Sequence, residues 1–327
     1  RPASTAFKIA MIWFSLYLLR FIQASWVVHP TRKPLLFNGP FFRGTYNGIA
    51  PNALDVNYRS NRTLVEFTKI AGYSESLKSN SPDLQLHLIA DSEKKRPSDW
   101  PSLLYWCADW EKLLDPAFPC VCFTYDDRTS SQINDFEAGA VGSLIWSLQR
   151  RMADRPRNER RFDGSFDTQG SRKLFGPKDF WNKGIGVVTP HRAQMAKIIH
   201  ELQSIFVSHP PEDIRNAVDT VERFQGQQRD VIIASFGVGD PDIINIEDEF
   251  LYNLNRFNVL TSRARTKLIV FVTRPLLEHL SNDTDVLNES RLLKQFVEFY
   301  CVSPESLQLG FIKDGAAVQR DGILRRR

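Results

Sequence analysis

Along this chain, short unbroken apolar runs alternate with longer stretches in which apolar side chains return every three or four positions. The runs at 231–234 (Val-Ile-Ile-Ala) and 268–272 (Leu-Ile-Val-Phe-Val) are rich in β-branched residues and hold no polar position. Strands covered on both faces of a parallel sheet have that character. Residues 84–89, 121–125 and 185–188 add three strand candidates. Between them the period lengthens. Asn57-Tyr58-Arg59-Ser60-Asn61 opens an amphipathic helix with Leu64, Phe67 and Ile70 on one buried face. Asn134-Asp135 caps a second helix running to about Arg150, with Phe136, Ala140, Leu144 and Leu148 in one stripe. A third follows 185–188, with Thr189 as N-cap and Pro190 at the first helical position, where its missing N–H costs nothing. Strands interleaved with helices predict an α/β fold, a parallel β-sheet flanked by helices.

Composition narrows the class. At 327 residues, 42% hydrophobic and 24% charged, the chain has ample core for one large or two ordinary domains. The net charge of +4 permits a nucleic-acid partner without demanding one. Cys107, Cys120, Cys122 and Cys301 make no disulfide framework, and Cys120-Val-Cys122 is one residue too tight for a zinc knuckle. No metal ligand set is assigned; free thiols in a reducing, cytoplasmic setting are expected. The apolar run at 9–19 is too short to span a bilayer, so no membrane role is expected. Residues 29–51 read as loop. Within them Gly39-Pro-Phe-Phe-Arg-Gly44-Thr45-Tyr46 copies the spacing of a phosphate-binding loop but lacks its Lys and Ser/Thr. The tryptophans around 100–110 read as core or loop anchors rather than as base-stacking residues, and the arginine-rich stretch 150–161 as a solvated insertion in preference to a nucleic-acid-facing loop.

The candidate chemistry lies where polar segments lead into the buried runs. Asp219-Thr220-Val221-Glu222-Arg223-Phe224-Gln225-Gly226-Gln227-Gln228-Arg229-Asp230 precedes the first, and Asn255-Arg256-Phe257-Asn258-Val259-Leu260-Thr261-Ser262-Arg263-Ala264-Arg265 precedes the second. Arg263 and Arg265 place two guanidinium groups at an element boundary, which suits a polyanion. Gly226 has no Cβ to hold a ligand off the backbone, and Gln225 offers both donor and acceptor. Thr189-Pro190-His191 puts a helix N-terminus at a strand end, a ready anion site.

These segments resemble the superfamily 1 helicases, in the 1B-type branch that includes the nonsense-mediated-decay and replication helicase-nucleases. There, T-V-x-x-F-Q-G-x-x-x-D followed by N-V-A-x-(T/S)-R-A-R marks the second of two RecA-like motor domains. The resemblance covers about residues 55–300 and implies a RecA-like P-loop NTPase fold. Residues 1–54 are then an N-terminal remnant or linker, 55–303 the motor domain, and 304–327 a basic tail ending in a disordered Arg325-Arg326-Arg327. It further implies ATP and Mg2+ as cofactors, with the metal held mainly by the first motor domain, and single-stranded DNA or RNA as partner. Arg59, in the family's Y-R element, and Arg263 match the arginines that reach the terminal phosphate. Gln225, Gly226, Gln228 and Arg265 match nucleotide-side positions, with Arg265 expected to support Arg263 or to pack against a carboxylate, and Thr189, His191 and Thr220 match nucleic-acid-side positions.

The chain departs from the family in places. Gln228 stands where many relatives carry Glu, and Leu260 and Ser262 replace a usual small residue and Thr. No G-x-x-x-x-G-K-(S/T) is present, and the chain starts at Arg1. The expectation is a fragment lacking the first motor half, inactive toward ATP by itself. One alternative is a non-catalytic nucleic-acid or partner-binding module on a degenerate motor domain. Another is a metal-dependent nuclease built on Pro82-Asp83 and Glu93-Lys94-Lys95; it suffers because the strand lies between the acids rather than beneath them.

Overall fold

The computed structural model describes residues 55–89, 95–221, 223–224 and 227–327. Two short strands, β1 (Val56–Asn57) and β2 (Lys78–Ser79), pair in parallel around helix α1 (Arg62–Ile70). Strand β3 (Cys120–Tyr125) leads into α2 (Asp135–Arg151), and a small antiparallel hairpin follows, β4 (Glu159–Arg160) with β5 (Phe166–Asp167). The chain continues through β6 (Ile185–Thr189), α3 (Arg192–Ile205), β7 (Val218–Thr220) and β8 (Arg229–Ser235). It ends with α4 (Leu254–Thr261), β9 (Ala264–Thr273), α5 (Thr284–Lys294), β10 (Ser303–Lys313) and β11 (Ala316–Arg326). Seven strands form the main sheet in the order β10-β11-β3-β9-β8-β6-β7. Five of them, β3, β9, β8, β6 and β7, run parallel to their neighbours in that series. Residues that precede these strands therefore gather at one rim of the sheet, and residues that follow them at the other.

The pleat explains why the apolar runs are unbroken. Ile269 and Phe271 of β9 point into one core with Val231, Ile233, Val187 and Phe123, under α2 and α3. Leu268, Val270 and Val272 point into the other with Ile232, Ala234 and Cys122, under α1, α4 and α5. Each face must be apolar, and each fully buried large side chain contributes about 1.5–3 kcal/mol.

Several expectations need correction. On α1, Leu64 and Phe67 are buried, but Ile70 is 48% exposed; Val65 and Thr68 complete the inner face instead. Residues 84–89 form no strand of the main sheet and make only isolated bridges, Gln85 to Arg157 and Leu88 to Met152. The N-cap of α3 is His191 rather than Thr189, because β6 keeps Thr189 in register with Thr220 of β7 and the helix starts only at Arg192. Trp100 and Trp110 are buried, and their indole N–H groups donate to the carbonyls of Leu104 and Tyr105. The amphipathic run at 9–19 and the loop at 29–51 lie outside the described residues. No helix among the described residues is long and apolar enough to cross a membrane.

The largest correction concerns the C-terminus. Residues 304–327 are not a tail: β10 and β11 form a hairpin that extends the main sheet, with β11 antiparallel to β3. Asp314 and Gly315 both take positive φ, 50° and 78°, as a two-residue hairpin turn requires. Leu307, Leu309 and Phe311 alternate into the core against Phe136. Gly322 lies where a Cβ would come within 2.3 Å of the Phe123 ring. The terminal arginines are ordered by contact: Arg326 pairs with Glu305 at 2.6 Å, and Arg327 lies over the Tyr300 ring at 4.2 Å.

Candidate functional site

Arg59 owes its position to the three residues around it. The Asn57 side chain accepts from the Arg59 and Ser60 amides at 2.8 and 2.9 Å, folding the segment into a tight turn. Ser60 Oγ then donates to the Ala264 carbonyl at 2.7 Å, and Asn61 donates to the Arg265 carbonyl through its backbone and to the Thr266 carbonyl through its side chain. Asn61 also caps α1 through the Leu64 amide. A polar segment is thereby stapled along the start of β9. The Arg59 guanidinium donates to the Ser262 carbonyl at 2.7 Å and to Gln228 Oε1 at 3.1 Å.

Arg263 sits in the turn between α4 and β9, where its carbonyl accepts from the Arg229 amide at the start of β8. Its side chain forms no ion pair among the described residues, and its Nε is shut off from solvent with no hydrogen-bond partner. Arg59 and Arg263 line one open cleft of ≈920 Å³ with Tyr58, Tyr73, Gln228 and Ser262. No described residue of that lining is a carboxylate. Burial pulls both guanidinium groups below their ordinary range, and for Arg263 the positive charge of Arg59 adds to the effect. Burial raises the Tyr73 hydroxyl, while the two arginines partly offset it. Like charges confined with no counter-charge among the described residues form a site that an anion would relieve.

Arg265, two residues on, is different. It lies inside β9, and its guanidinium pairs with Asp230 and with Glu159 of the β4–β5 hairpin. Those carboxylates hold it, which is the packing against an acid expected of Arg265 as an alternative to supporting Arg263. Gln228 is exposed in the cleft beside Arg59. Gln225 and Gly226 lie outside the described residues.

At the opposite rim the polar groups are enclosed. Thr189 is fully buried, with its hydroxyl unpartnered; His191 is 7% exposed and pairs with Glu247 at 2.6 Å; Thr220 is 8% exposed. At the same rim lies a polar network centred on Glu137. Glu137 is fully buried and accepts from Tyr125 and Ser235 hydroxyls, each at 2.6 Å, and from the Gly237 amide at 2.9 Å. Gln194 and Asn134 close it, Gln194 donating to Ser235 Oγ and Asn134 to the Tyr125 hydroxyl. Burial outweighs the three donors and lifts the Glu137 carboxyl to about 7. Its sequence signal was the Glu137-Ala138 pair, which resembles a Glu-Ala-bearing helix of the superfamily 1 helicases but did not disclose the partners of the carboxyl. Of the nuclease motif, Asp83 is exposed and pairs with Arg62, and Glu93 and Lys94 lie outside the described residues.

Residues 40–274 match the family described as the AAA domain. The chain belongs to that family. It is similar to mov-10-B.2 of Danio rerio, a protein bearing a helicase name, at 29% identity over 58% of this chain and 18% of that protein. It is similar to the RNA helicase Mov10l1 of Mus musculus at 28% identity, covering 69% of this chain and 16% of the relative. Helicase SEN1 of Saccharomyces cerevisiae matches at 25% identity over 72% of this chain and 9% of its own length. The chain thus spans less than a fifth of each of these relatives. With a mostly parallel sheet between two helical layers, it is a superfamily 1 helicase-like domain of RecA-like α/β fold.

Proposed function

We propose that the chain is the second motor half of an ATP-dependent helicase that moves along single-stranded DNA or RNA, and that Arg59 and Arg263 receive the terminal phosphates of ATP. The observation that carries this reading is the convergence of two half-buried guanidinium groups in one cleft without a counter-charge among the described residues. A triphosphate held by a first motor domain and brought against this rim would supply the missing negative charge. The planar fork of Arg263 would then follow charge as it spreads onto the γ-phosphoryl oxygens.

The residues fit the phosphate end of the nucleotide better than its metal. The cleft lining offers cations, amides and hydroxyls, so the magnesium that accompanies ATP is assigned to ligands of the first motor domain. Gln228, beside Arg59, is suited to a ribose hydroxyl, and Gln225 and Gly226 keep a nucleotide-side assignment from their motif. Nucleic acid is assigned to the opposite rim. Thr189, His191 and Thr220 are buried there, so the amides opening α3, which no side chain caps, are the contacts proposed for its phosphates.

The test is a motor reconstituted from both halves, with nucleic-acid-stimulated ATP hydrolysis as the readout. Arg263→Lys keeps the charge and loses the fork; turnover is expected to fall by on the order of 10³-fold, as for arginine fingers generally. Turnover near that of the unaltered motor would end the assignment.

A further inference from the structure

The β4–β5 hairpin belongs to neither rim site and has an unusual tip. Phe162 is as exposed as in an extended chain, at 110%, and Phe166 is 46% exposed. Arginine surrounds them: residues 155–173 hold six basic and three acidic side chains. One of those acids, Glu159, is already engaged by Arg265. Another, Asp167, serves two cations at once, Arg161 at 3.1 Å and Arg155 at 4.0 Å. Arg160 rests over the Phe166 ring at 5.8 Å.

The sequence alone favoured a solvated insertion over a nucleic-acid-facing loop, but the segment is held in shape. Its turn is closed by hydrogen bonds from Arg161 N to the Ser165 carbonyl and from Gly164 N to the Arg161 carbonyl, with Gly164 at φ +85°. Asp163 accepts from the amide and hydroxyl of Ser165 at 2.9 and 2.6 Å. The foot is fastened by Arg160 N to Ser81 Oγ, by the Asn158 side chain to the Asp83 carbonyl, and by the Glu159–Arg265 ion pair. None of these fastenings uses the Phe162 ring. The ring is therefore open to a ligand on both faces, on a turn whose shape does not depend on it.

From this we infer that the β4–β5 hairpin is a second contact for single-stranded nucleic acid, with a base stacking on Phe162 and adjoining phosphates on Arg155, Arg160 and Arg161. A stacked base needs a free π-face beside cations that track a backbone, and this tip supplies both. A protein partner would need a contiguous apolar patch, whereas Phe162 is flanked by Arg161 and Asp163. The proposal rests on the nucleic-acid partner of the proposed function, but none of its residues lines the cleft of Arg59 and Arg263 or belongs to α3.

The experiment is a fluorescence-anisotropy titration of the full chain, without nucleotide, against a labelled single strand of about 12 nucleotides, within the range of single-strand site sizes. Phe162→Ala is expected to weaken binding roughly 5- to 100-fold, and Phe162→Tyr, which keeps the ring, to restore most of it. Arg160→Gln with Arg161→Gln is expected to lower the slope of log affinity against log salt by about 0.7 for each phosphate that is no longer neutralised. Thermal melting should be unchanged in Phe162→Ala, since the ring supports nothing. Ultraviolet crosslinking should attach the strand to the peptide containing Phe162. Failure of the chain to bind the strand, or Phe162→Ala affinity equal to that of the unaltered chain with crosslinks only elsewhere, would overturn the proposal. Loss of an acidic protein partner in Phe162→Ala with strand affinity unchanged would overturn it in favour of a protein-docking tip.

Discussion

Arg263 and Glu137 are charged side chains at opposite rims of the same parallel sheet, and their surroundings are inverted. Glu137 is sealed, and three donors converge on its carboxyl oxygens. Arg263 is half-enclosed, faces the like charge of Arg59, and has an Nε with no hydrogen-bond partner among the described residues. A buried polar group whose partners are all internal rigidifies a fold; one whose partner is absent is poised for a ligand. Arg265 sharpens the contrast, because it lies two residues from Arg263 and is neutralised by Asp230 and Glu159. Identity of residue type and closeness in sequence do not decide function. The local charge balance does.

The comparison can be broken in order of effect. On the proposed reading, Arg263→Ala lowers ATP turnover of the reconstituted motor by at least about 10³-fold, while the melting temperature of the isolated chain does not fall, since a like-charge contact is removed. A fall in stability matching the fall in turnover would make Arg263 structural. Arg265→Ala should do the reverse in the isolated chain and cost about 3–5 kcal/mol in denaturant titrations, because Asp230 is left buried and unpaired. That cost should be larger at pH 8 than at pH 5, because burial already raises Asp230 to about 6 and protonation spares the stranded charge.

Glu137 gives the next effect, through pH. Its folded value, about 7, lies above its ordinary 4.5, so the stabilisation belongs to the protonated form. It is fully present below pH 4.5 and is lost as pH rises through 7, a contribution of about 3 kcal/mol. Glu137→Gln removes the titration, and melting curves between pH 4.5 and 7 should show a shallower decline than for the unaltered chain; an unchanged slope would mean that burial does not govern this carboxyl. Smallest is Gln228→Ala, which removes one exposed hydrogen bond at 3.1 Å while Arg59 keeps the Ser262 carbonyl. Stability should move by less than about 0.5 kcal/mol. A larger loss would mean that Gln228 holds the cleft together.

How much of this was legible depends on how each residue earns its place. The runs at 231–234 and 268–272 were readable as buried parallel strands because both of their faces are covered, which leaves no polar position to interrupt the pattern. The Asn134 cap was readable because capping is a contact between neighbours, here with the Glu137 amide. The C-terminal hairpin was missed although Asp314-Gly315 and the alternating Leu307, Leu309 and Phe311 announced it. Its outward positions are polar, and the charge of the last residues masked a period of two.

By itself, then, the sequence determined the α/β class, the two central strands, and the gathering of Arg59 and Arg263 as candidates through their motifs. Tertiary structure alone decided which arginine stands free. Arg265 finds its carboxylates at sequence separations of 35 and 106 residues, and Arg59 finds the Ser262 carbonyl 203 residues away. Hydrophobic period is a local property and survives in a string of letters. Charge compensation is set by distances in space, and only the folded chain brings those groups together.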